Sequence, residues 1–179
     1  MPTSTPWGIS QSKESIIRGI IFYSTSSHGG FHVSKKLNQE IHPAWRNSSG
    51  WYEEDCEWAI VAISFPEVCS QKELTLAHKT AKNYFPHKYE EATGTLVMCN
   101  ESSVLREELF HETFKNHYIV VSAISYDNNF VKVSAAKGGR LPNGMLPEDM
   151  KTFLVPNEEY NSTKSGEFVI NENKHKQLI

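Results

Sequence analysis

Short apolar and aromatic runs near the start of the chain predict β-structure. The run SIIRGIIFYSTS (15–26) is rich in Ile, Phe and Tyr, and FHVS (31–34) follows it after the sequence SHGG. Because strands joined through glycine turns form hairpins, this pattern predicts a β-hairpin around a glycine turn. A short helix is expected next, with Ser34 as its N-cap and Pro43 as its stop.

Helical spacing of apolar residues first occurs within residues 53–64. Apolar side chains recur there at positions i, i+3, i+4 and i+7, which are occupied by Cys56, Ala59, Ile60 and Ile63. The spacing predicts a helix over 53–64 that packs through these four residues. Pro66 should end it, because proline disrupts a continuing helix.

Two further helices are predicted after Pro66. The segment 70–86 begins with Ser70 and has Glu73 three residues later, which is a capping-box signature, and it stops before Pro86. The segment 101–117 has charges on one side and an apolar stripe on the other, formed by Val104, Leu105, Leu109 and Phe114. This second pattern is typical of a surface helix that packs on a core.

The last third of the chain consists of β-branched and aromatic runs separated by turn sequences. These runs are YIVVSAISY (118–126), NNFVKVSAA (128–136), KTFLVP (151–156) and EFVI (167–170). They predict antiparallel strands that pair in sequence order, followed by a frayed tail at about 171–179. The whole pattern predicts a single α+β domain over residues 1–179. Its sheet is mainly antiparallel, and three to four helices are inserted between an N-terminal hairpin and C-terminal strands.

Composition narrows the possible partners. With 179 residues, of which 39% are hydrophobic, the chain can build one sizeable core. The net charge of −3 comes with mixed signs and without a run of five or six Lys or Arg, which argues against nucleic acid as the partner. An apolar run of about twenty residues and a secretory signal are both missing from the sequence. We therefore expect a cytoplasmic protein without a membrane partner.

The cysteines argue against a disulfide framework. Their number is three, at positions 56, 69 and 99, and none forms a CxxC pair. An odd number without this spacing predicts free thiols and no zinc knuckle. The sequence predicts no bound metal and no cofactor.

The segment GWYEEDCEWAIVAISFPE (50–67) has two interpretations. In the structural one, Glu53, Glu54 and Asp55 lie in the first helical turn, where the dipole stabilises carboxylates by roughly 0.3 to 1 kcal/mol each. In the functional one, Glu53 and Glu57 present two carboxylates on one helix face, as a metal or a general acid/base pair requires. The aromatic rim of such a site consists of Trp51, Tyr52 and Trp58.

Two diglycine sequences are candidate anion-binding turns. Gly29 and Gly30 could take positive φ and direct backbone N–H groups inward as an anion nest beside His28, although a hairpin turn also requires glycine. Lys137 and Arg140 flank the second diglycine in a loop rich in Gly and Pro. That loop could bind a phosphate or carboxylate, or be a solvated hairpin loop.

Cys56 is a candidate nucleophile with an equally simple structural interpretation. A helix N-terminus favours the thiolate, and His28 could act as its base. The surrounding carboxylates disfavour the thiolate, and Cys56 lies on the apolar stripe. A buried structural cysteine is therefore the favoured interpretation.

Five segments occur in an order that resembles a known group of proteins. They are TPWG (5–8), STSSHGGFHVS (24–34), GWYEEDCEWAIVAISFPE (50–67), AAKGGR (135–140) and FLVPNEEY (153–160). From Thr5 to about Ile170, the chain resembles an uncharacterised domain family carried by bacteriophages, plasmids and other mobile elements of bacteria. The resemblance implies a biological setting and carries no catalytic residues with it.

This setting leads to two main functional hypotheses and a third class. Small proteins of mobile elements often bind host proteins such as restriction or CRISPR components. The first hypothesis is therefore an accessory protein that counters host defence by binding a host protein through the acidic and aromatic surface of residues 51–58. The alternative is a small enzyme or a binder of an anionic small ligand. Its pocket would combine His28 and the Gly29-Gly30 nest with Glu53 or Glu54, and its catalytic candidates are His28, Glu53 and Glu54. A purely structural module is the third class.

Overall fold

The computed structural model describes residues 3–141, 144–163 and 166–178. It confirms the predicted α+β class, since helices are combined with sheets in which every described strand pairing is antiparallel. The chain divides into two compact units, Met1–Arg106 and Glu107–Ile179. The single domain over 1–179 stays a prediction.

The first unit contains six strands. Strands β1 (Ser4–Thr5) and β2 (Gly8–Ile9) form a small hairpin, with Trp7 in its turn. A four-stranded sheet follows in the order β3-β4-β5-β6, whose strands are β3 (Ser12–Ile17), β4 (Ile20–Ser24), β5 (Gly29–Val33) and β6 (Trp51–Glu53). The predicted hairpin is confirmed as the antiparallel pair β4 and β5.

The details of this hairpin differ from the prediction in two ways. The segment 15–26 contains the end of β3 and the whole of β4, because a turn at Gly19, with φ of +97°, separates the two strands. Gly29 and Gly30 lie within β5, and the hairpin turn is formed by residues 25–28. Glycine is therefore needed at 29 and 30 for a reason other than the turn.

The two faces of this sheet have different surroundings. On one face, Ile20, Val33 and Tyr52 are buried in the core of the unit. On the other face, Trp51 contacts Trp7, Tyr23 and His32 at ring-centroid distances of 5.7, 5.3 and 4.5 Å. These four rings are called the aromatic cluster below. The N-terminal hairpin thus covers the outer face of the sheet with Trp7.

Five helices accompany these strands, the first between β5 and β6 and the other four after β6. They are α1 (Lys35–Asn38), α2 (Trp58–Ser64), α3 (Gln71–Tyr84), α4 (Pro86–Thr93) and α5 (Ser103–Phe114), with short 3₁₀ turns at Pro66–Val68 and Cys99–Glu101. The predicted capping box of α3 is confirmed: Ser70 Oγ accepts from the Glu73 N–H, and a Glu73 carboxylate oxygen accepts from the Ser70 N–H. Helix α4 was not predicted; Pro86 stops α3 and occupies the first position of α4, where proline is favoured.

The helix predicted over 53–64 is wrong in its first part. Residues 51–53 form β6 and pair with residues 30–32 of β5, so the helix begins only at Trp58. Sheet pairing with a strand about twenty residues earlier therefore overrides the local helical pattern. Of the four predicted packing residues, Ala59 and Ile60 are buried, whereas Cys56 and Ile63 are half-buried.

The apolar stripe predicted for 101–117 is also wrong, although the helix itself forms as α5. Its described residues are all outside the fully buried class, and Leu109 is 58% exposed. Leu105 alone among the four predicted stripe residues packs against the core of the first unit. Elsewhere in that core, α2 packs on α3, where Ala77 and Ala81 are fully buried. Their small side chains permit close helix contact.

The second unit is an antiparallel sheet in sequence order, as predicted. Its strands are β7 (Tyr118–Ser125), β8 (Phe130–Lys137), β9 (Met150–Pro156) and β10 (Lys176–Leu178), with α6 (Asn157–Asn161) after β9. The strand predicted for the EFVI run is wrong: among the described residues this run has a single bridge, which joins Val169 to Ile119 of β7. Pro142 and Asn143 of the predicted binding loop lie outside the described residues.

The predicted frayed tail is wrong for β10, which pairs with β9. The reason is His175, which is only 3% exposed. Its Nδ1 accepts a hydrogen bond from the Asn171 N–H at 3.2 Å, and its Nε2 lies 3.2 Å from Glu159 Oε1. This buried contact holds the polar segment in place. Ile179, the end of the predicted tail, lies outside the described residues.

Candidate functional site

The ends of two neighbouring strands bring the predicted site residues together. Strands β5 and β6 are antiparallel, with Gly30 opposite Glu53. The hairpin turn that ends at His28 therefore lies beside the turn that follows Glu53. The hairpin turn is closed by the Thr25 N–H and hydroxyl, which donate to the His28 carbonyl at 2.8 and 2.9 Å.

The carboxylates of this region accept backbone N–H groups. The Gly29 N–H donates to Glu54 Oε1 at 2.6 Å, and the Glu54 N–H donates to the Gly29 carbonyl at 3.1 Å. The Glu53 N–H donates to Glu57 Oε2 at 3.0 Å, and the Asp55 N–H donates to Glu53 Oε2 at 2.9 Å. The helix-dipole interpretation is wrong, because α2 starts at Trp58 and its described first turn holds no acidic residue.

The anion nest predicted at Gly29 and Gly30 is not formed. Positive φ belongs to other glycines, and the Gly29 N–H is already bound by Glu54. A Cβ atom at Gly30 would lie 2.2 Å from the Trp7 ring and 2.5 Å from the Tyr52 carbonyl oxygen. Gly30 is thus required by close packing under Trp7.

Three metal-ligating side chains converge at the strand ends. One ligand atom each of His28, Glu53 and Asp55 lies within 4.8 Å of the other two. His28 and Asp55 are exposed, whereas Glu53 is half-buried. Among the described residues, Glu53 Oε1 is buried without a hydrogen-bond partner. The cluster therefore places one imidazole nitrogen and the oxygens of two carboxylates close enough together to act as ligands of one ion.

The local electrostatics favour a cation over an anion. Burial raises the pKa of the Cys56 thiol, and the negative charges of Glu53, Glu57 and Asp55 raise it further. A thiol held in its neutral form is a poor nucleophile. The same negative potential that keeps Cys56 protonated attracts a positive ion to the His28, Glu53 and Asp55 cluster.

A family match covers this whole region. The model of a domain of unknown function, DUF7007, matches residues 1–115. The chain belongs to this family. No curated protein and no solved structure matches the chain. The matched DUF7007 region contains the converging cluster, the aromatic cluster and all of helices α1 to α5.

The predicted aromatic rim of the DUF7007 region reaches the surface only in part. Tyr52 is 0% exposed, and its hydroxyl donates to Asn38 Oδ1 at 2.6 Å and accepts from the Asn47 N–H at 3.0 Å. Its ring is therefore unavailable to a partner. Trp51 is half-buried in the aromatic cluster, and Trp58 is half-buried against the core.

The predicted basic loop belongs to the second unit. Arg140 donates to the Val121 carbonyl at 2.9 Å, and Lys137 Nζ lies 5.8 Å from the centre of the Tyr118 ring. Gly138 and Gly139 have positive φ, but their N–H groups donate to the carbonyls of His117 and Ala136. This diglycine forms a turn whose backbone donors are already used.

Sequence reasoning missed a cavity in the first unit. Its volume is about 580 Å³, and α3 forms one wall with Thr75, His78, Lys79 and Lys82. These polar residues are spaced at i, i+3, i+4 and i+7, which was the available signal for a polar helix face. The described part of the chain contains no helix long and apolar enough to cross a membrane.

Proposed function

We propose that the first unit binds a divalent transition-metal cation through His28, Glu53 and Asp55. The observation that carries the proposal is the convergence of their three ligand atoms within 4.8 Å of one another. The pairing of β5 with β6 holds the two turns that supply these ligands side by side. This cation differs from the sequence-based expectation of no bound metal.

The geometry is close to that of a coordinated ion. Ligand atoms lie about 2.0 to 2.2 Å from Zn²⁺, so two ligands of one ion are at most about 4.4 Å apart. Rotation of the exposed His28 and Asp55 side chains can close the remaining gap without disturbing the core. The buried Glu53 Oε1 would gain a partner in the process.

The ligand types indicate which cation fits. Imidazole suits Zn²⁺ and related transition metals, and carboxylates are accepted by Zn²⁺ and Mn²⁺ alike. Three protein ligands leave a coordination position open for water or for an oxygen of another molecule. An anionic small ligand would therefore be held through the cation, and a metal-bound water is the group that a hydrolytic reaction would use.

The test is calorimetric titration of chelator-treated protein with ZnCl₂ and with MnCl₂. We expect one site per chain, and we expect His28→Ala and Asp55→Asn each to weaken it at least about tenfold, which corresponds to roughly 1.4 kcal/mol. Glu40→Gln is the matched control, because Glu40 is an exposed carboxylate outside the cluster. Equal affinity in all four proteins would disprove the site.

We also propose that residues 51–58 form a surface that binds a host protein, in the cytoplasm of a bacterium carrying a phage or plasmid. The supporting observation is that the exposed Glu54 and Asp55 lie in the same segment as the partly exposed Trp51 and Trp58. Tryptophan is among the residues enriched at interface hot spots. Tyr52 is buried and is therefore not among the proposed contact residues. The proposed partner is a component of a defence system.

This second proposal is tested by affinity capture from host lysate with wild type, Asp55→Arg and the control Glu40→Arg. The charge reversal at Asp55 should abolish capture of a protein that the control retains. Repeating the capture with EDTA separates binding that needs the cation from binding that does not. Retention of the same protein by Asp55→Arg would exclude this surface as the contact.

A further inference from the structure

Hydrogen bonds join the two sides of the cavity in the first unit. Asn83, at the end of α3, receives hydrogen bonds from the start of α5: the Ser103 N–H donates to its Oδ1 at 2.8 Å, and Ser102 Oγ donates to its carbonyl at 2.9 Å. Ser102 is fully buried. These contacts hold the cavity wall formed by α3 against the segment that supplies Asn100, Glu101 and Arg106.

The charged groups of the cavity have different partners. Lys82 Nζ is 2.7 Å from Glu101 Oε1, and the Glu101 carboxylate also accepts from the Met98 N–H at 3.0 Å. The Arg106 guanidinium donates to the backbone carbonyls of Cys99 and Asn100 through Nη1. Among the described residues, Lys79 has no ion-pair partner. The cavity therefore retains a net charge of about two positive after the Lys82–Glu101 pair is formed.

Neutral donors lie beside these cations. His78 uses Nδ1 in a contact of 2.9 Å with the Tyr89 hydroxyl, which leaves Nε2 for a ligand. Asn100 is exposed at the cavity and offers its side-chain amide as a donor, whereas the Thr75 hydroxyl already donates to the Gln71 carbonyl at 2.9 Å. A mixture of an Arg fork, a Lys ammonium and neutral donors is the chemistry that recognises oxyanions.

We propose that this cavity binds a small molecule carrying a phosphate group, with Lys79 and Arg106 as its main contacts. A phosphate monoester carries about −1.5 to −2 charges at pH 7 and so matches the cavity charge better than a single carboxylate does. The volume of about 580 Å³ lies within the range of small-ligand sites, roughly 300 to 1,000 Å³, and exceeds what a bare phosphate ion fills. This site is separate from the proposed metal cluster, which offers a negative surface.

The experiment is an NMR titration of the full chain with three probes at matched ionic strength: inorganic phosphate, ribose 5-phosphate and citrate. We expect both phosphate probes to bind, with chemical-shift changes at the backbone amides of residues 75–83 and 100–106. Ribose 5-phosphate should bind more tightly, because the cavity has room for its sugar. The two phosphate probes distinguish a free phosphate ion from a phosphorylated organic molecule as the ligand.

Matched variants test the named contacts. Lys79→Gln and Arg106→Gln should each weaken phosphate binding about tenfold, the usual effect of losing one charged contact. Lys36→Gln removes the same charge at an exposed position of helix α1 and should leave binding unchanged. If a variant does not fold, the chemical-shift changes of the wild-type chain still show whether the phosphate probes bind at the cavity. Shifts outside the cavity, tighter binding of citrate, or equal loss in Lys36→Gln would each overturn the proposal.

Discussion

The two units of the chain build their cores in different ways. In the first unit, one face of a sheet packs against α2, with α3 packed on α2 and α4 on α3. The strand ends and the polar face of α3 carry the candidate chemistry. In the second unit, neighbouring strands of a meander enclose a core that includes Val133, Phe153 and Val155. The first unit brings distant residues together, as in the bond from Gly29 to Glu54. The second pairs β7, β8 and β9 in order along the chain, and it adds β10 and the Ile119–Val169 bridge over longer separations.

The largest loss of stability is expected from a substitution in the core of the second unit. Phe153 is 1% exposed and contacts Tyr118 at a ring-centroid distance of 5.8 Å, so Phe153→Ala should cost about 3 to 5 kcal/mol. All four tryptophans, Trp7, Trp45, Trp51 and Trp58, lie in the first unit. We therefore expect a shift in the urea unfolding curve followed by far-UV circular dichroism, and a smaller shift in the curve followed by tryptophan fluorescence. Identical shifts would instead support one cooperative domain over 1–179.

The next largest loss of stability is expected from a substitution in the sheet of the first unit. Gly30→Ala should cost about 1 to 3 kcal/mol, because the added methyl group meets the Tyr52 carbonyl, which cannot move aside. Tryptophan fluorescence during urea unfolding is the direct measurement. Gly94→Ala is the control: the structure shows open space there, so only the left-handed φ of +69° is strained, at a cost of about 1 kcal/mol. A smaller loss for Gly30→Ala than for Gly94→Ala would contradict the packing argument.

A smaller effect concerns the contact that joins the two site turns. Glu54→Ala removes the acceptor of the Gly29 N–H and should cost about 1 kcal/mol. Glu54→Gln keeps an acceptor oxygen and should cost less than half of that. Urea unfolding followed by tryptophan fluorescence measures both, with Glu40→Ala as an exposed control. Equal losses in the Ala and Gln variants would show that the charge of Glu54, and not its hydrogen bond, stabilises the turn.

The smallest expected effect is on the pH dependence of stability in the first unit. Burial lowers the pKa of His32, and burial followed by the charge of Lys82 lowers the pKa of His78, both from 6.5. The unfolded chain therefore binds these protons at higher pH than the folded chain does. The contribution of these two neutral imidazoles to the free energy of unfolding should be full above about pH 6.5. It should be lost as the pH falls through their lowered pKa values. Urea midpoints at pH 7.5 and 5.5 should differ less in His32→Gln and His78→Gln than in wild type.

The sequence predicts elements well where the deciding signals are local. Ser70 and Glu73 lie three residues apart and determine the start of α3, and the turns between β7, β8 and β9 separate strands that pair in order. The start of α2 could not be found in this way. The predicted helix began at Glu53, and only the pairing of residues 51–53 with residues 30–32 shows that Glu53 ends a strand instead.

The candidate site shows the same limit. His28 and Glu53 were recognised as candidates, but their approach depends on the pairing of β5 with β6, which no local pattern encodes. The strand β10 is a similar case, because a polar tail becomes ordered through the buried His175. The polar spacing along α3 was visible in the sequence. That this polar face lines a cavity depends on the segment 99–106, which lies opposite α3.

The position of Trp7 over Gly30 has a spectroscopic consequence. Trp7 and Trp51 lie 5.7 Å apart with their ring planes at 90°. Indoles at this distance share their excited states, so the native chain should show an exciton couplet in its circular dichroism spectrum. Because Trp7 is held by the small β1–β2 hairpin, the couplet reports directly whether those first residues are seated on the sheet. A Trp7→Phe variant should lose the couplet while keeping an aromatic ring above Gly30.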